Sequence, residues 1–165
     1  MLRIIGIDPG YAIVGYGVLD YQGNRFSVVD YGVITTDADL PFGKRLDSIY
    51  TELDALLARH RPAAMSLEKL FFTQNQKTAI DVAQARGVIM LCGVRAGLEV
   101  HEYTPLQVKS SVVGYGKAEK QQVMQMTKTL LRLAAVPRPD DAADALAVAI
   151  CHGHSASSSL HKLLR

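Results

Sequence analysis

A chain of 165 residues, 48% of them hydrophobic, can bury one sizeable core but is too short for two full lobes that close on a nucleotide. The net charge is only +2, yet Pro105 to Pro139 sets Lys109, Lys117, Lys120, Lys128, Arg132 and Arg138 against Glu119 alone, so the remainder is net acidic. A basic segment on an otherwise acidic chain predicts a polyanionic partner, with a solvated helix face as the plainer alternative.

Leu2 to Asp8 reads as a short buried strand stopped by the turn formers Pro9 and Gly10. Ile13 to Leu19 and Phe26 to Thr35 read as two more strands, joined by a hairpin turn at Gln22-Gly23-Asn24. Phe42, Leu46, Ile49, Leu53, Leu56 and Leu57 make one apolar stripe on a helix that ends near Arg61-Pro62. Ala63 to Glu68 follows as a central strand, and the strand–helix–strand order favours a parallel crossover. Lys77 to Leu98 is helical, and Val100 to Tyr103 is a short strand. Thr104-Pro105 then starts a helix, with Thr as cap and Pro in the first turn. Gly114-Tyr115-Gly116 breaks it, Ala118 to Leu133 is the next helix, and Asp140 or Asp141 caps a last one that runs to about His152. A mixed five-stranded α/β sheet, an antiparallel meander plus parallel strands with helices on both faces, is the expected packing. It forms one domain over residues 1–154, followed by a flexible tail over 155–165.

Cys92 and Cys151 lie in apolar helical patterns without metal-type spacing, and read as reduced packing residues. The start, Met1-Leu2-Arg3-Ile4-Ile5-Gly6, does not read as a signal peptide, and no apolar run reaches the roughly 18 residues of a membrane span. A cytoplasmic protein is expected.

The chemistry concentrates in four acids. Apolar runs lead straight into Asp8 and Glu68 at the carboxyl ends of the first and fourth strands, where the functional sites of open α/β sheets lie. The two can meet if those strands are neighbours. Asp141 and Asp144 are three residues apart, share a helix face, and sit in a first turn that favours negative charge. Each acid has a plainer reading: Asp8 as a turn cap, Asp141 as a helix cap, Asp144 as an exposed side chain, Glu68 as a lysine's partner. An unpaired charge at a core edge is costly, and a shared hard cation such as Mg²⁺ or Mn²⁺ resolves the cost. Two such ions can clamp a phosphodiester. No nucleophile–histidine arrangement competes. His152 and His154 read as the end of the last helix and stay open as auxiliary groups.

Gly6-Ile7-Asp8-Pro9-Gly10, Gly15-Tyr16-Gly17, Glu68, Gln84-Ala85-Arg86-Gly87 and Asp141-Ala142-Ala143-Asp144-Ala145-Leu146, in that order, resemble the RuvC family of bacterial Holliday-junction resolvases, which have an RNase H-like fold. The resemblance extends to about His154. It implies catalytic, metal-holding acids at Asp8, Glu68, Asp141 and Asp144. Asp140 precedes the third motif acid, and the spacing to Asp144 favours Asp141. It also implies two Mg²⁺ per site with Mn²⁺ as a substitute, a homodimer, paired nicks in strands of like polarity, and work on nucleoid DNA beside the RuvA and RuvB branch-migration complex.

Within that frame Phe71 is expected to stack or wedge at the junction crossover, with core filling as its alternative, and Phe72 to pack. Lys109 and Lys120 match family lysines near the scissile phosphate. Arg86, Lys117, Asn75, Gln76 and Lys77 are further DNA-contact candidates. The helix from Ala79 to Gly97 is the best dimer-interface candidate, with an ordinary buried helix as its alternative. Two other functions remain at this point: a nuclease of the same fold acting on RNA or an RNA–DNA hybrid, and a non-catalytic binder of branched DNA.

Overall fold

The computed structural model describes residues 1–70 and 76–163. The chain opens with three strands, β1 (Leu2–Asp8), β2 (Ile13–Gln22) and β3 (Arg25–Thr35), paired as an antiparallel meander. The β2–β3 turn is the two-residue Gly23-Asn24, both with positive φ (55° and 60°), the geometry that matches strand twist in tight hairpins. Helix α1 (Phe42–His60) leads to β4 (Ala64–Glu68), and α2 (Gln76–Arg95) to β5 (Glu99–Tyr103). Three helices follow, α3 (Pro105–Val113), α4 (Lys120–Leu130) and α5 (Asp140–Leu163). The sheet order is β3-β2-β1-β4-β5, with β1–β4 and β4–β5 parallel, so the expected mixed five-stranded sheet is what forms.

Alternation along each strand sorts the side chains into two cores. Ile5, Ile7, Val14, Val18, Met65 and Leu67 point one way, onto Ile49, Leu53 and Leu57 of α1 and Ala85, Ile89 and Cys92 of α2. Ile4, Leu19 and Tyr21 point the other way, onto α5 from Leu146 to Cys151, with Val108 and Val112 of α3 and Val123 of α4 completing that side. By the same alternation Asp8 and Glu68 face the α5 side.

That face is bare beneath α5. A Cβ at Gly6 would run into the Ala145 carbonyl oxygen, one at Gly15 into the Asp141 carbonyl oxygen, and one at Gly17 into the Leu146 side chain. Helix α5 answers with small residues, since Ala142, Ala143, Ala145, Ala147 and Ala149 are all buried. Glycine in a strand interior marks such a close backbone approach. Here it lets the first turn of α5 settle over the carboxyl end of β1.

Helix ends depart from the sequence reading by a few residues, for local reasons. Helix α2 stops at Arg95 rather than Leu98, because Gly97 turns left-handed (φ 78°) and Leu98 N–H donates back to the Gly93 carbonyl. Helix α4 starts at Lys120, where the Gln122 side chain accepts from the Glu119 backbone N–H at 2.8 Å, and stops before Arg132 (φ 54°). Helix α3 has the expected Thr104 cap, with Gln107 as its reciprocal partner. The largest difference is α5, which runs on to Leu163 instead of ending near His152 and so crosses the 154/155 boundary unbroken. Nothing in residues 153–163 stops a helix, and Ser155 Oγ donates to the Cys151 carbonyl one turn back. Among the described residues, no helix is long and apolar enough to cross a membrane.

Candidate active site

The register places the first two acids. Ile7 of β1 is level with Leu67 of β4, so Asp8 and Glu68 end neighbouring parallel strands side by side. Asp8 is level with Gly15 of β2, and Gly15 lies directly under the Asp141 backbone. Two acids from strand ends and two from the start of α5, Asp141 in its first turn and Asp144 just after it, therefore share one edge of the sheet.

Their proximity shows in their proton affinities. Burial first, then the charges of Asp144, Glu68 and Asp141, push the Asp8 carboxyl up to about 8, against a smaller pull from Lys120. Burial, with Asp144 behind it, raises Glu68, while Lys109 and Lys120 draw it back. Burial likewise raises Asp144, with Asp140 and Asp141 adding to it and Lys120 opposing. Lys120 at the start of α4 is the local counter-charge, with Nζ 3.0 Å from Asp144 Oδ2 and 3.5 Å from Asp140 Oδ2. Burial works against its charge, but the Asp144 hydrogen bond and the charges of Asp144 and Asp140 outweigh that and raise its pKa. Asp140 also pairs with Arg138.

This cluster has the donor chemistry of a hard-cation site, with oxygen donors only and more negative charge than it can hold at neutral pH. Among the described residues, no group of three or more His, Cys, Asp or Glu side chains closes into a metal cage. Mutually repelling carboxylates are expected to stand apart without a cation, and Mg²⁺ is commonly held by one or two carboxylates together with substrate phosphates rather than by a full protein cage. The residues fit an open site of that kind.

A family model for crossover junction endodeoxyribonuclease RuvC matches residues 4–152. The chain belongs to the RuvC family. A curated relative, the crossover junction endodeoxyribonuclease RuvC of Ruminiclostridium cellulolyticum, is 59% identical over 152 residues, 92% of each chain. The Thermus thermophilus RuvC structure aligns with a TM-score of 0.90 at 33% identity, over 96% of this chain and 97% of that one. T. thermophilus RuvC in complex with Holliday junction substrate aligns with a TM-score of 0.87 at 31% identity, over 95% and 96%. The fold is accordingly the RNase H-like fold of RuvC.

On this RuvC scaffold the other expected site residues fall into four groups. Lys109 on α3 and Lys120 on α4 are both close enough to act on Glu68. Lys117 is exposed in the turn between α3 and α4. Phe71, Phe72 and Asn75 lie outside the described residues; Gln76 and Lys77 begin α2, and only their backbone is described. Arg86 does not lie open to solvent. Its Nη2 donates to the Glu102 carboxylate, its Nη1 meets Met90 Sδ at 3.3 Å, and its Nε reaches the Glu68 carbonyl oxygen at 3.5 Å.

The two histidines left open as auxiliary groups sit within α5, not at its end. His152 is buried, with Nδ1 2.8 Å from the Tyr103 hydroxyl and its ring stacked on His101 at 4.2 Å. Burial, assisted by His101, pushes it down to about 4, which keeps it neutral. His154 bonds to Ser111 and meets the Phe26 ring edge-on. Both lie two turns or more beyond Asp144. Three contributors were not read from the sequence: the glycine row, Asp140 as the partner of both Lys120 and Arg138, and Glu102. Gly15-x-Gly17 opposite Gly6 is the one signal that could have announced the first.

Proposed function

We propose that this chain is a Holliday-junction resolvase that hydrolyses phosphodiesters at the Asp8–Glu68–Asp141–Asp144 cluster. The observation that carries the reading is an overcharged carboxylate cluster, with lysines beside it, at the carboxyl edge of the sheet in a RuvC-family chain. Asp8, Glu68, Asp141 and Asp144 would hold Mg²⁺, or Mn²⁺ in its place, with two ions per site. When bound, the pair supplies positive charge to the attacked phosphate and to the oxygen that leaves. Asp8 must give up its proton to serve as a ligand. Lys120 releases Asp144 and turns its charge to the phosphate, and Lys109, beside Glu68, neutralises the same group from the α3 side. Asp140 is the wrong acid for ligation because Arg138 occupies it. Phe71 is assigned the crossover stacking role, with Phe72, Asn75, Gln76, Lys77 and Lys117 along the DNA path. The cytoplasm, on nucleoid DNA beside RuvA and RuvB, is the setting the family resemblance implies.

A homodimer belongs to the same proposal, because two like nicks suit a two-fold assembly. Helix α2 carries both of the features weighed for it. One side is core, and the other exposes Ile80 (65%), Leu91 (54%) and Val94 (60%) around Gly87, over which there is open space. The 80/87/94 spacing makes a single stripe along the helix. Leu91→Glu with Val94→Glu is expected to weaken dimerisation by about 100-fold or more, two buried apolar anchors being worth several kcal/mol. Sedimentation equilibrium reads this, and a variant that stays dimeric at wild-type concentrations removes α2 as the interface.

The deciding experiment is a gel assay with labelled four-way junctions and Mg²⁺. Paired symmetric nicks in junctions, absent from linear duplex, are the expected result. Equal cutting of RNA–DNA hybrids would move the assignment to a hybrid nuclease. Binding without cleavage in either Mg²⁺ or Mn²⁺ would leave a non-catalytic junction binder.

A further inference from the structure

We infer that Arg86 is a positioning residue that, clasped by Glu102, fixes the end of β4 and through it the placement of Glu68, and is not a DNA contact. The inference rests on the cleavage reading above. A guanidinium is expensive to bury unless its donors are used, and the Arg86 side chain is only 16% exposed. Each of its three nitrogens has a partner within the chain. Nη2 pairs with Glu102 and Nη1 with Met90, its neighbour one helical turn along α2, while Nε points at the Glu68 carbonyl. The guanidinium is thus turned toward β4 and β5.

The partners lie where leverage on Glu68 is greatest. Glu102 of β5 is level with Leu67 of β4, the residue before Glu68. Lys69 N–H donates to the Tyr103 carbonyl at 2.7 Å, the last backbone tie before the chain leaves the sheet. Arg86 therefore braces the terminal peptide of β4 from α2, and Glu102 holds the brace from β5. A catalytic carboxylate has to be held to a fraction of an ångström, and a misplacement of about 1 Å can cost on the order of 10²-fold in rate. Partners behind ligating carboxylates are worth about 10–100-fold in metal affinity or activity. Lysine cannot replace the fork, because it carries the charge as a point without the planar array of donors. A phosphate contact, by contrast, would tolerate lysine.

The test uses the full chain, with Arg86→Lys and Glu102→Gln compared with wild type. Each is checked first for an unchanged far-ultraviolet circular dichroism spectrum; Glu102→Gln, at a solvent-facing position, carries the test if Arg86→Lys fails to fold. Three quantities are read: junction affinity in EDTA with its salt dependence, single-turnover cleavage in Mg²⁺, and Mn²⁺ binding to the DNA-free protein by electron paramagnetic resonance. Both variants are expected to keep junction affinity within about twofold and the salt slope unchanged, to cleave about 10–100-fold more slowly, and to need about tenfold more Mn²⁺ for half-saturation. A junction affinity that falls about tenfold at unchanged Mn²⁺ half-saturation would make Arg86 a DNA contact and overturn the inference. Wild-type cleavage and Mn²⁺ binding in Glu102→Gln would overturn it as well. If wild type itself fails to nick junctions, the proposed activity falls, while the Mn²⁺ titration still decides whether Arg86 and Glu102 position the cluster.

Discussion

Asp8→Asn is expected to lower junction cleavage by on the order of 10³-fold or more while junction binding persists, since the change removes a proposed charged ligand but leaves shape and basic surface intact. It is also expected to stabilise the folded protein at alkaline pH, and the sign follows from linkage. The Asp8 carboxyl rises to about 8 in the fold from an ordinary value near 4. Between those values the folded chain binds a proton that the unfolded chain has lost, so stability falls as pH rises through the window. Asparagine cannot ionise, so melting temperatures of Asp8→Asn and wild type should converge near pH 4 and separate in the variant's favour toward pH 8. Divalent cation should act in the same direction on wild type, raising its melting temperature more at pH 8 than at pH 6, because the ion replaces the proton. Loss of junction binding together with cleavage would make Asp8 a structural residue. A wild-type melting temperature indifferent to Mg²⁺ and Mn²⁺ at pH 8 would remove the cluster as a cation site.

Gly15→Val should be nearly as damaging without touching an acid. Its Cβ would occupy the space of the Asp141 carbonyl, and both partners are backbone, so neither can swing aside. The first turn of α5 must lift, carrying Asp141 and Asp144 away from Asp8 and Glu68. Overpacking of this kind costs about 1–3 kcal/mol or more, and a shift of about 1 Å can cost on the order of 10²-fold in cleavage. Measured below the variant's own melting temperature, the cleavage loss should remain. Gly43→Ala in α1, where a Cβ meets nothing within 4 Å, serves as the control and should cleave like wild type. Cleavage recovering fully in folded Gly15→Val would mean that α5 does not set the cluster's geometry.

The strands and the pairing of Asp8 with Glu68 were legible because apolar runs that end abruptly in an acid place that acid at a strand end, and the topology then leaves few arrangements. The helix caps at Thr104 and the break at Gly114 were legible for similarly local reasons. What escaped depended on contacts between segments far apart in the chain. The length of α5 was underestimated because the serine-rich run from Ser155 read as a flexible tail, while the packing of Gly153 beneath Phe26 and Tyr21 joins segments far apart in the chain. Arg86 was read as a DNA-contact candidate, and nothing in its own helix reveals its pairing with Glu102 on β5. Lys120 was read as a site lysine from the family resemblance, but its bonds to Asp140 and Asp144 arise only when α4 and α5 meet.

The glycine-lined face beneath α5 also orders events during synthesis. The helices that face packs against, α3, α4 and α5, all follow the last strand in the chain, and so do two of the four acids. The ribosome completes the whole sheet before it makes Asp141, and at about 5–20 residues per second the interval after Asp8 is on the order of ten seconds. Through that time Ile4 and Leu19 have no α5 to cover them. A nascent chain is thus aggregation-prone before its acids can meet, and no prematurely terminated product lacking α5 can bring Asp141 and Asp144 to Asp8 and Glu68.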